Sequence, residues 1–325
     1  MKLKLPIKFE KVLEQDTKLR AETLRLVSEF FDWMYENKTE FFPEYTDHGV
    51  LHVQSVLDTA EEIILDESFK ILSPEDIYVL VSAVLLHDCA MHISKNGLWE
   101  LISNNRFNGV LFGFSSDEEW LHRWNNFSSD VNRFEESDWY KFFGEYQPVT
   151  LPNIGDSSIS DDQKIVIGDF VRRYHACIAQ VISTYGIPVD KGVHEVFNSE
   201  FNPLNQLAGF VARSHNYGLR QVKDKISHNN RDRMYLNVHV SFLMGVIRIA
   251  DYMQFTSKRT PKKLFENKGF CSPISIAEWE KHLSIISTND ADPDQELLFV
   301  EATPDDAKTL VGINFFTRWI SERAG

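Results

Sequence analysis

Histidine and aspartate residues stand at the ends of segments that are otherwise apolar. Residues 77–86 are apolar almost throughout and run directly into His87 and Asp88, and residues 238–250 lead to Asp251 in the same way. An ionised carboxylate that is buried without a partner is very costly, so each of these acids needs a compensating charge. The pattern therefore predicts a buried polar site at the ends of apolar helices.

Three further histidines occur in the same kind of setting. Residues 165–171 precede His175, residues 207–212 precede His215, and His52 opens an amphipathic segment. A shared site for a divalent metal would satisfy all of these imidazoles and carboxylates together. Mixed His and Asp ligation suits Mn, Fe, Zn, Co or Ni better than the all-oxygen cages that hold Mg or Ca. We therefore expect a divalent transition metal as cofactor.

The elements that must position these side chains are helices. Apolar residues recur at helical spacing, for example at Val53, Val56, Leu57 and Ala60. Further helices are predicted near residues 18–36, 74–87, 162–184, 203–216, 232–254, 275–286 and 304–322. Only residues 297–301 have the pattern of a strand. The fold class that we predict is all-α, a helical bundle.

Two regions differ from the rest of the predicted bundle. Residues 104–160 are rich in Asn, Ser and Asp but also carry many aromatic residues, which indicates an insertion packed on the bundle. Base stacking by Trp120 or Trp124 is the sharper alternative for these rings. Residues 261–325 have their own turn signals and form a C-terminal extension. We therefore expect a main domain over residues 1–260, with the insertion inside it, followed by the extension.

The order of these residues resembles a known superfamily. His52, then His87-Asp88, then Asp251 is similar to the H…HD…D signature of the HD-domain metal-dependent phosphohydrolases. Arg173-Tyr-His175 and Arg213-Ser-His215 resemble the two additional histidines of its two-metal members. The resemblance is closest to the HD-CE group, meaning HD with conserved extensions, and it covers roughly residues 40–260.

The resemblance implies a metal site and a reaction. It assigns His52, His87, Asp88 and Asp251 to a first metal, and His175 and His215 to a second metal bridged by Asp88. It also implies hydrolysis of a phosphate ester or anhydride in a nucleotide-type substrate by a metal-activated water. If His175 and His215 are instead ordinary core histidines, only one metal binds.

Other residues are candidates for substrate contact and proton transfer. Arg213, Arg248, Lys258 and Arg259 are candidates for binding the phosphate. Asp88, His48 and His92 are the catalytic candidates, since imidazoles titrate near neutral pH. No Gly-Tyr-Pro follows Asp251, which disfavours the cyclic-dinucleotide branch of the superfamily.

Composition narrows the choice of partner and compartment. The formal net charge is −14, which disfavours a long nucleic acid because duplex binding depends on Lys and Arg that neutralise phosphates. No apolar run is long enough to span a membrane, and no secretory signal is evident. The three cysteines fit buried thiols, so we expect a cytoplasmic protein with a small phosphorylated substrate.

A second class of function stays open from the sequence. In it, the metal-bearing bundle is a non-catalytic sensor that binds a nucleotide and signals through the extension. HD-CE domains are often followed by an Hsp90-type ATPase in longer chains, so the resemblance implies such an ATPase domain, or a second copy of the chain, as the partner.

Overall fold

The computed structural model describes residues 3–37, 39–44, 48–114, 117–218, 221–222, 236–255, 260, 265, 272–289 and 299–324. Within them the chain is mainly α-helical, which confirms the predicted fold class. The helices are α1 (Ile7–Leu13), α2 (Thr17–Glu36), α3 (Val50–Ile63), α4 (Asp66–Phe69), α5 (Pro74–Leu86), α6 (Lys95–Ser103), α7 (Trp120–Val131), α8 (Glu136–Phe143), α9 (Asp161–Tyr185), α10 (Asn202–Ser214), α11 (Val240–Tyr252), α12 (Pro273–Ser284) and α13 (Ala307–Ala324).

Helix α5 is the central element of the bundle. It begins with a capping box between Ser73 and Asp76, and Pro74 occupies its first turn, where a missing N–H has no consequence. Every residue from Asp76 to Leu86 is buried, as expected for a helix that is apolar on all sides. Helices α1, α2, α3, α9, α10 and α11 all pack against it. The residues that follow α5 therefore emerge inside the bundle.

Helices α9 and α10 form a closely packed pair. A Cβ built at Gly209 of α10 would lie 2.7 Å from Cβ of Ser183 in α9, so only glycine allows this approach. Helix α9 begins with a capping box between Ser160 and Gln163 and ends at Gly186, which has a φ of +89°. The pair is thus fixed in register by local capping and by one small residue at the contact.

The aromatic insertion packs on this pair, as the sequence predicts. The rings of Trp124 and Phe127 in α7 lie 5.2 and 5.3 Å from the ring of Phe170 in α9. Trp120 and Trp124 are only 2% and 4% exposed. Base stacking by these two tryptophans is therefore the wrong interpretation, because both rings are buried within the protein.

Four short strands lie among the described residues, where the sequence predicts one. Strands β1 (Ile187–Val189) and β2 (Gly192–His194) form an antiparallel hairpin after α9, and β3 (Ile285–Asn289) pairs antiparallel with β4 (Phe299–Ala302). The predicted helix to residue 286 is thus too long. β-branched residues such as Ile285 and Ile286 favour a strand once a partner strand is available, and helical spacing alone does not reveal that partner.

The C-terminal extension lies against the bundle and the insertion. Helix α12 packs against α8, and α13 packs against α11 and α12. The indole N–H of Trp279 donates to the carbonyl of Glu44, at 2.9 Å, and so ties the extension to the chain before α3. None of the described helices has the length and hydropathy of a membrane span. The boundary at residue 260 stays a prediction.

Candidate metal centre

Three helix ends bring four potential ligands together. His87 and Asp88 follow the last turn of α5, His52 lies in the first turn of α3, and Asp251 lies in the last turn of α11. His52 Nε2 is 3.1 Å from His87 Nε2 and 3.4 Å from both Asp88 Oδ2 and Asp251 Oδ1. His87 Nε2 is 3.3 Å from Asp88 Oδ2. This cluster unites the four residues that the sequence assigns to a first metal.

A second cluster shares Asp88 with the first. His175 of α9 and His215, which caps α10, place their Nε2 atoms 3.0 Å apart. The other oxygen of Asp88, Oδ1, lies 3.8 Å from His175 Nε2. Each cluster has donor atoms that all lie within 4.8 Å of one another. Asp88 therefore presents one oxygen to each group of ligands.

Backbone hydrogen bonds define the protonation of three histidines. In each of these histidines, Nδ1 lies close to the backbone carbonyl of the residue three positions earlier. The distance is 2.7 Å for His87, 2.7 Å for His175 and 2.5 Å for His215. A carbonyl only accepts, so Nδ1 carries the hydrogen in each ring, and Nε2 is the nitrogen that faces the cluster. This is the tautomer of a metal-ligating histidine whose other nitrogen is held by a carbonyl.

The spacing of the donors tests whether a metal fits. The close Nε2 pairs, His52 with His87 and His175 with His215, are 3.1 and 3.0 Å apart. Two imidazole nitrogens at this distance need a proton or a metal ion between them, because two facing lone pairs repel one another. Bonds of about 2.1 Å that meet at a right angle place their donor atoms about 3.0 Å apart. The residues present thus fit a divalent ion in each cluster.

The charges of the site also favour a cation. Burial alone lowers the pKa of His87, but the neighbouring carboxylates of Asp88 and Asp251 raise that pKa to about 9. Burial raises the pKa of Asp88 and of Asp251, yet the nearby histidines outweigh it and hold both well below their usual range. Burial, with His175 and His87, lowers the pKa of His215 to about 4. At neutral pH both acids are therefore ionised, His215 is neutral, and His87 carries a proton that a bound metal ion would displace.

His48 and His92 occupy different positions relative to the clusters. His48 Nδ1 lies 2.9 Å from Asp88 Oδ2, and its side chain is partly exposed. His92 is buried and does not reach the ligands: its Nδ1 is 2.7 Å from the carbonyl of Asn37, and its Nε2 is 3.1 Å from the carbonyl of His48. His48 is thus at the edge of the site, and His92 supports the backbone of His48 from behind.

The candidate phosphate-binding arginines lie inside the protein. Arg213 is 2% exposed and makes two hydrogen bonds to Asp117, at 2.6 and 2.9 Å. Arg248 is buried and donates to the carbonyl of Ser214. A buried guanidinium needs such partners, and here the protein provides them without a substrate phosphate. Lys258 and Arg259 lie outside the described residues.

Sequence reasoning missed Asp117 and Arg123. Arg123 of α7 lies 3.3 Å from Asp117 and donates to the carbonyl of Glu118, at 3.0 Å. Asp117 follows Ser115-Ser116 in a polar stretch and has no periodic or motif signal. Its partner Arg213 is 96 residues away, so no local pattern could have indicated the pair.

Comparison with known proteins bears on the family alone. No curated protein and no solved structure matches the chain. The family model HD-CE matches residues 42–324, which includes the described ligands of both clusters, the insertion and nearly all of the extension. The match confirms the resemblance seen in the order of the ligands: this chain belongs to the HD-CE family.

Proposed function

We propose that the protein hydrolyses a phosphate ester or anhydride bond in a small nucleotide-type substrate, with two divalent metal ions. The observation that carries the proposal is the pair of His/Asp clusters that share Asp88. A carboxylate with one oxygen facing each cluster is suited to a site that would hold two ions. The HD-type family supports the same reaction class.

Each protein ligand has a defined part in this proposal. His52, His87 and Asp251 would hold one ion, His175 and His215 would hold the other, and Asp88 would contribute to both sites. When bound, such ions provide a nucleophilic water at neutral pH and neutralise charge on the phosphoryl oxygens. The ligands come from helices α3, α5, α9, α10 and α11 or the residues directly after them, so the bundle core holds them rigidly.

His48 is the residue that we assign to proton transfer. Its Nδ1 lies 2.9 Å from Asp88 Oδ2, and an ionised carboxylate can only accept at this contact. Nδ1 therefore carries a hydrogen, and Nε2 is the atom that takes up or delivers a proton. A positioned imidazole contributes about 10²- to 10⁴-fold to such a reaction.

The nature of the substrate rests on charge and on family resemblance. The net charge of −14 gives the protein little attraction for a long phosphate backbone. A small phosphorylated molecule can be bound through the metal ions themselves, which are the largest local positive charges in such a site. Nucleotides are proposed because the resembling families act mostly on them, which is an argument by analogy.

Product analysis on a mixed substrate panel tests the proposal. The panel holds ribo- and deoxynucleoside mono- and triphosphates, cyclic mono- and dinucleotides, and short oligonucleotides, each incubated with Mn²⁺ and resolved by chromatography. We expect turnover of one class by the wild type, with loss in Asp88→Ala. His194→Ala is the matched control, because His194 is an exposed histidine paired with Glu29, and it should retain turnover.

The opposite result has a definite meaning. If the wild type binds Mn²⁺ and a nucleotide but forms no product from any class, hydrolysis by this chain is refuted. The same result would favour the sensor function, in which the nucleotide is bound and not consumed.

A further inference from the structure

Arg213 and His215 point to opposite sides of helix α10. Residues two apart in a helix do not share a face, so His215 turns toward His175 while Arg213 turns toward the insertion. The guanidinium of Arg213 stacks on the ring of Phe114, 3.5 Å from its centroid. Arg213 thus anchors the back of the helix that ends at the second cluster.

The insertion supplies the charge that Arg213 needs. Asp117 accepts two hydrogen bonds from Arg213, at 2.6 and 2.9 Å, and lies 3.3 Å from Arg123. Arg123 also approaches the thiol of Cys177 at 3.4 Å, and Cys177 is two residues beyond His175 in α9. Through Arg213 on α10 and Arg123 against α9, Asp117 therefore connects to both helices close to the histidines of the second cluster.

Two further contacts join the insertion to the same helices. Gln180 of α9 accepts from Arg213 at 3.1 Å and donates to the carbonyl of Phe112 at 2.8 Å. Gly113 turns the chain with a φ of +73°, and a Cβ there would lie 2.4 Å from the ring of Phe210 in α10. The turn at Gly113 is thus seated directly on α10, so its position and that of the helix depend on each other.

We propose that Asp117, acting through Arg213, is a positioning residue for the second metal, so that docking of the insertion controls occupancy of that site. This inference rests on the proposed two-metal centre. The second cluster should respond to this docking, because its two histidines belong to α9 and the end of α10. Asp117 connects these two helices through Arg213 and Arg123. The ligands that belong to the first cluster alone are His52 in α3, His87 after α5 and Asp251 in α11. The Asp117–Arg213 ion pair involves none of these three helices.

Loss of the Asp117 carboxylate should release α10. The variant Asp117→Asn leaves a buried guanidinium without its counter-charge, and a buried cation in that state moves to regain solvent or another partner. Such movement shifts the last turn of α10 and with it His215. Loss of an outer partner of a metal ligand typically weakens metal affinity about 10- to 100-fold.

Metal binding measured without any substrate tests the inference. Wild type, Asp117→Asn and Asp117→Glu are dialysed against a series of free Mn²⁺ concentrations, and bound Mn is counted by elemental analysis. Electron paramagnetic resonance then separates coupled pairs of Mn²⁺ ions from single ions. We expect two affinities in the wild type, with the weaker one lowered about 10- to 100-fold in Asp117→Asn. The other affinity should stay unchanged, and the coupled signal should disappear at limiting Mn²⁺.

Two additional variants separate loss of the ion pair from general misfolding of the insertion. Asp117→Glu keeps the charge and so should fold, but its longer side chain shifts the pair, and we expect a smaller loss confined to the same site. Asp138→Asn removes a partly exposed acid that is paired with Lys141 in the same insertion, and it should bind like the wild type. The inference is overturned if both Asp117 variants keep both wild-type affinities, or if Asp138→Asn loses the second ion equally. A wild type that binds a single ion contradicts the two-metal centre itself.

Discussion

The close contact between α9 and α10 can be tested with a single methyl group. In Gly209→Ala, the new Cβ would lie 1.9 Å from Oγ and 2.7 Å from Cβ of Ser183. Rotation of the Ser183 side chain removes the first clash but not the second, because Cβ does not move with χ1. Carbon atoms pack at about 3.5 Å or more, so the helices must separate locally by about 0.8 Å.

The magnitude follows from two opposing effects. Overpacking of a buried contact costs about 1 to 3 kcal/mol, while alanine favours a helix interior over glycine by about 1 kcal/mol. The clash therefore outweighs the propensity gain, and we expect Gly209→Ala to lower the free energy of unfolding by about 1 kcal/mol. The same separation moves His175 from His215, so binding of a second Mn²⁺ should weaken as well.

Urea unfolding followed by tryptophan fluorescence measures this effect, with Gly245→Ala as the matched control. Gly245 lies inside α11, and a Cβ there meets no atom within 4 Å. Its variant should therefore gain about 1 kcal/mol from helix propensity alone. A loss of unfolding free energy in Gly209→Ala together with a gain in Gly245→Ala supports the close approach of α9 and α10. If Gly209→Ala is stabilised like Gly245→Ala, the reasoning about this contact is refuted.

Three further predictions concern metal, pH and catalysis. Mn²⁺ at about 100 times its Kd should raise the free energy of unfolding by about 2.7 kcal/mol, and a chelator should reverse the gain. In a thermal melt, His52→Ala should lose most of this gain, and an unchanged response would contradict its role as a ligand. Burial raises the pKa of Asp117, but Arg213 and Arg123 outweigh burial and lower that pKa. The carboxylate therefore stabilises the fold above about pH 4, the ordinary pKa of an aspartate, and this stabilisation is lost as the pH falls through the lower pKa of the folded state. Urea unfolding at a series of pH values should therefore show a flatter acid limb in Asp117→Asn, and an identical limb would exclude the pair as its source. His48→Gln should reduce turnover about 10²-fold or more with unchanged bound Mn, whereas unaffected turnover would remove His48 from the mechanism.

Much of the fold was accessible from the sequence, because helices depend on local signals. The predicted helix near 162–184 differs by one residue at each end from α9, Asp161–Tyr185, since a capping box and a terminal glycine mark its limits. The hairpin of β1 and β2 and the strand β3 were missed. Short strands depend on a partner elsewhere in the chain, and helical spacing carries no information about that partner.

The candidate site was likewise predicted only in part from the sequence. The sequence was sufficient to predict that His52, His87-Asp88, His175, His215 and Asp251 lie together, because acids and imidazoles at the ends of apolar helices need a shared partner. The same residues gave the resemblance to the HD-CE family, and the match of the family model over residues 42–324 confirms it.

Tertiary structure alone decided which way the charged side chains face. Asp88 directs one oxygen to each cluster. His48 contacts the Oδ2 atom of Asp88, whereas His92 contacts only the backbone carbonyls of His48 and Asn37 in this region. Arg213 stands two residues from a metal-site histidine in the sequence, yet it pairs with Asp117 on the far side of the helix. Sequence spacing determines that Arg213 and His215 lie on different faces, but which face meets the His/Asp clusters depends on packing against α5 and α9 and on Asp117, 96 residues away.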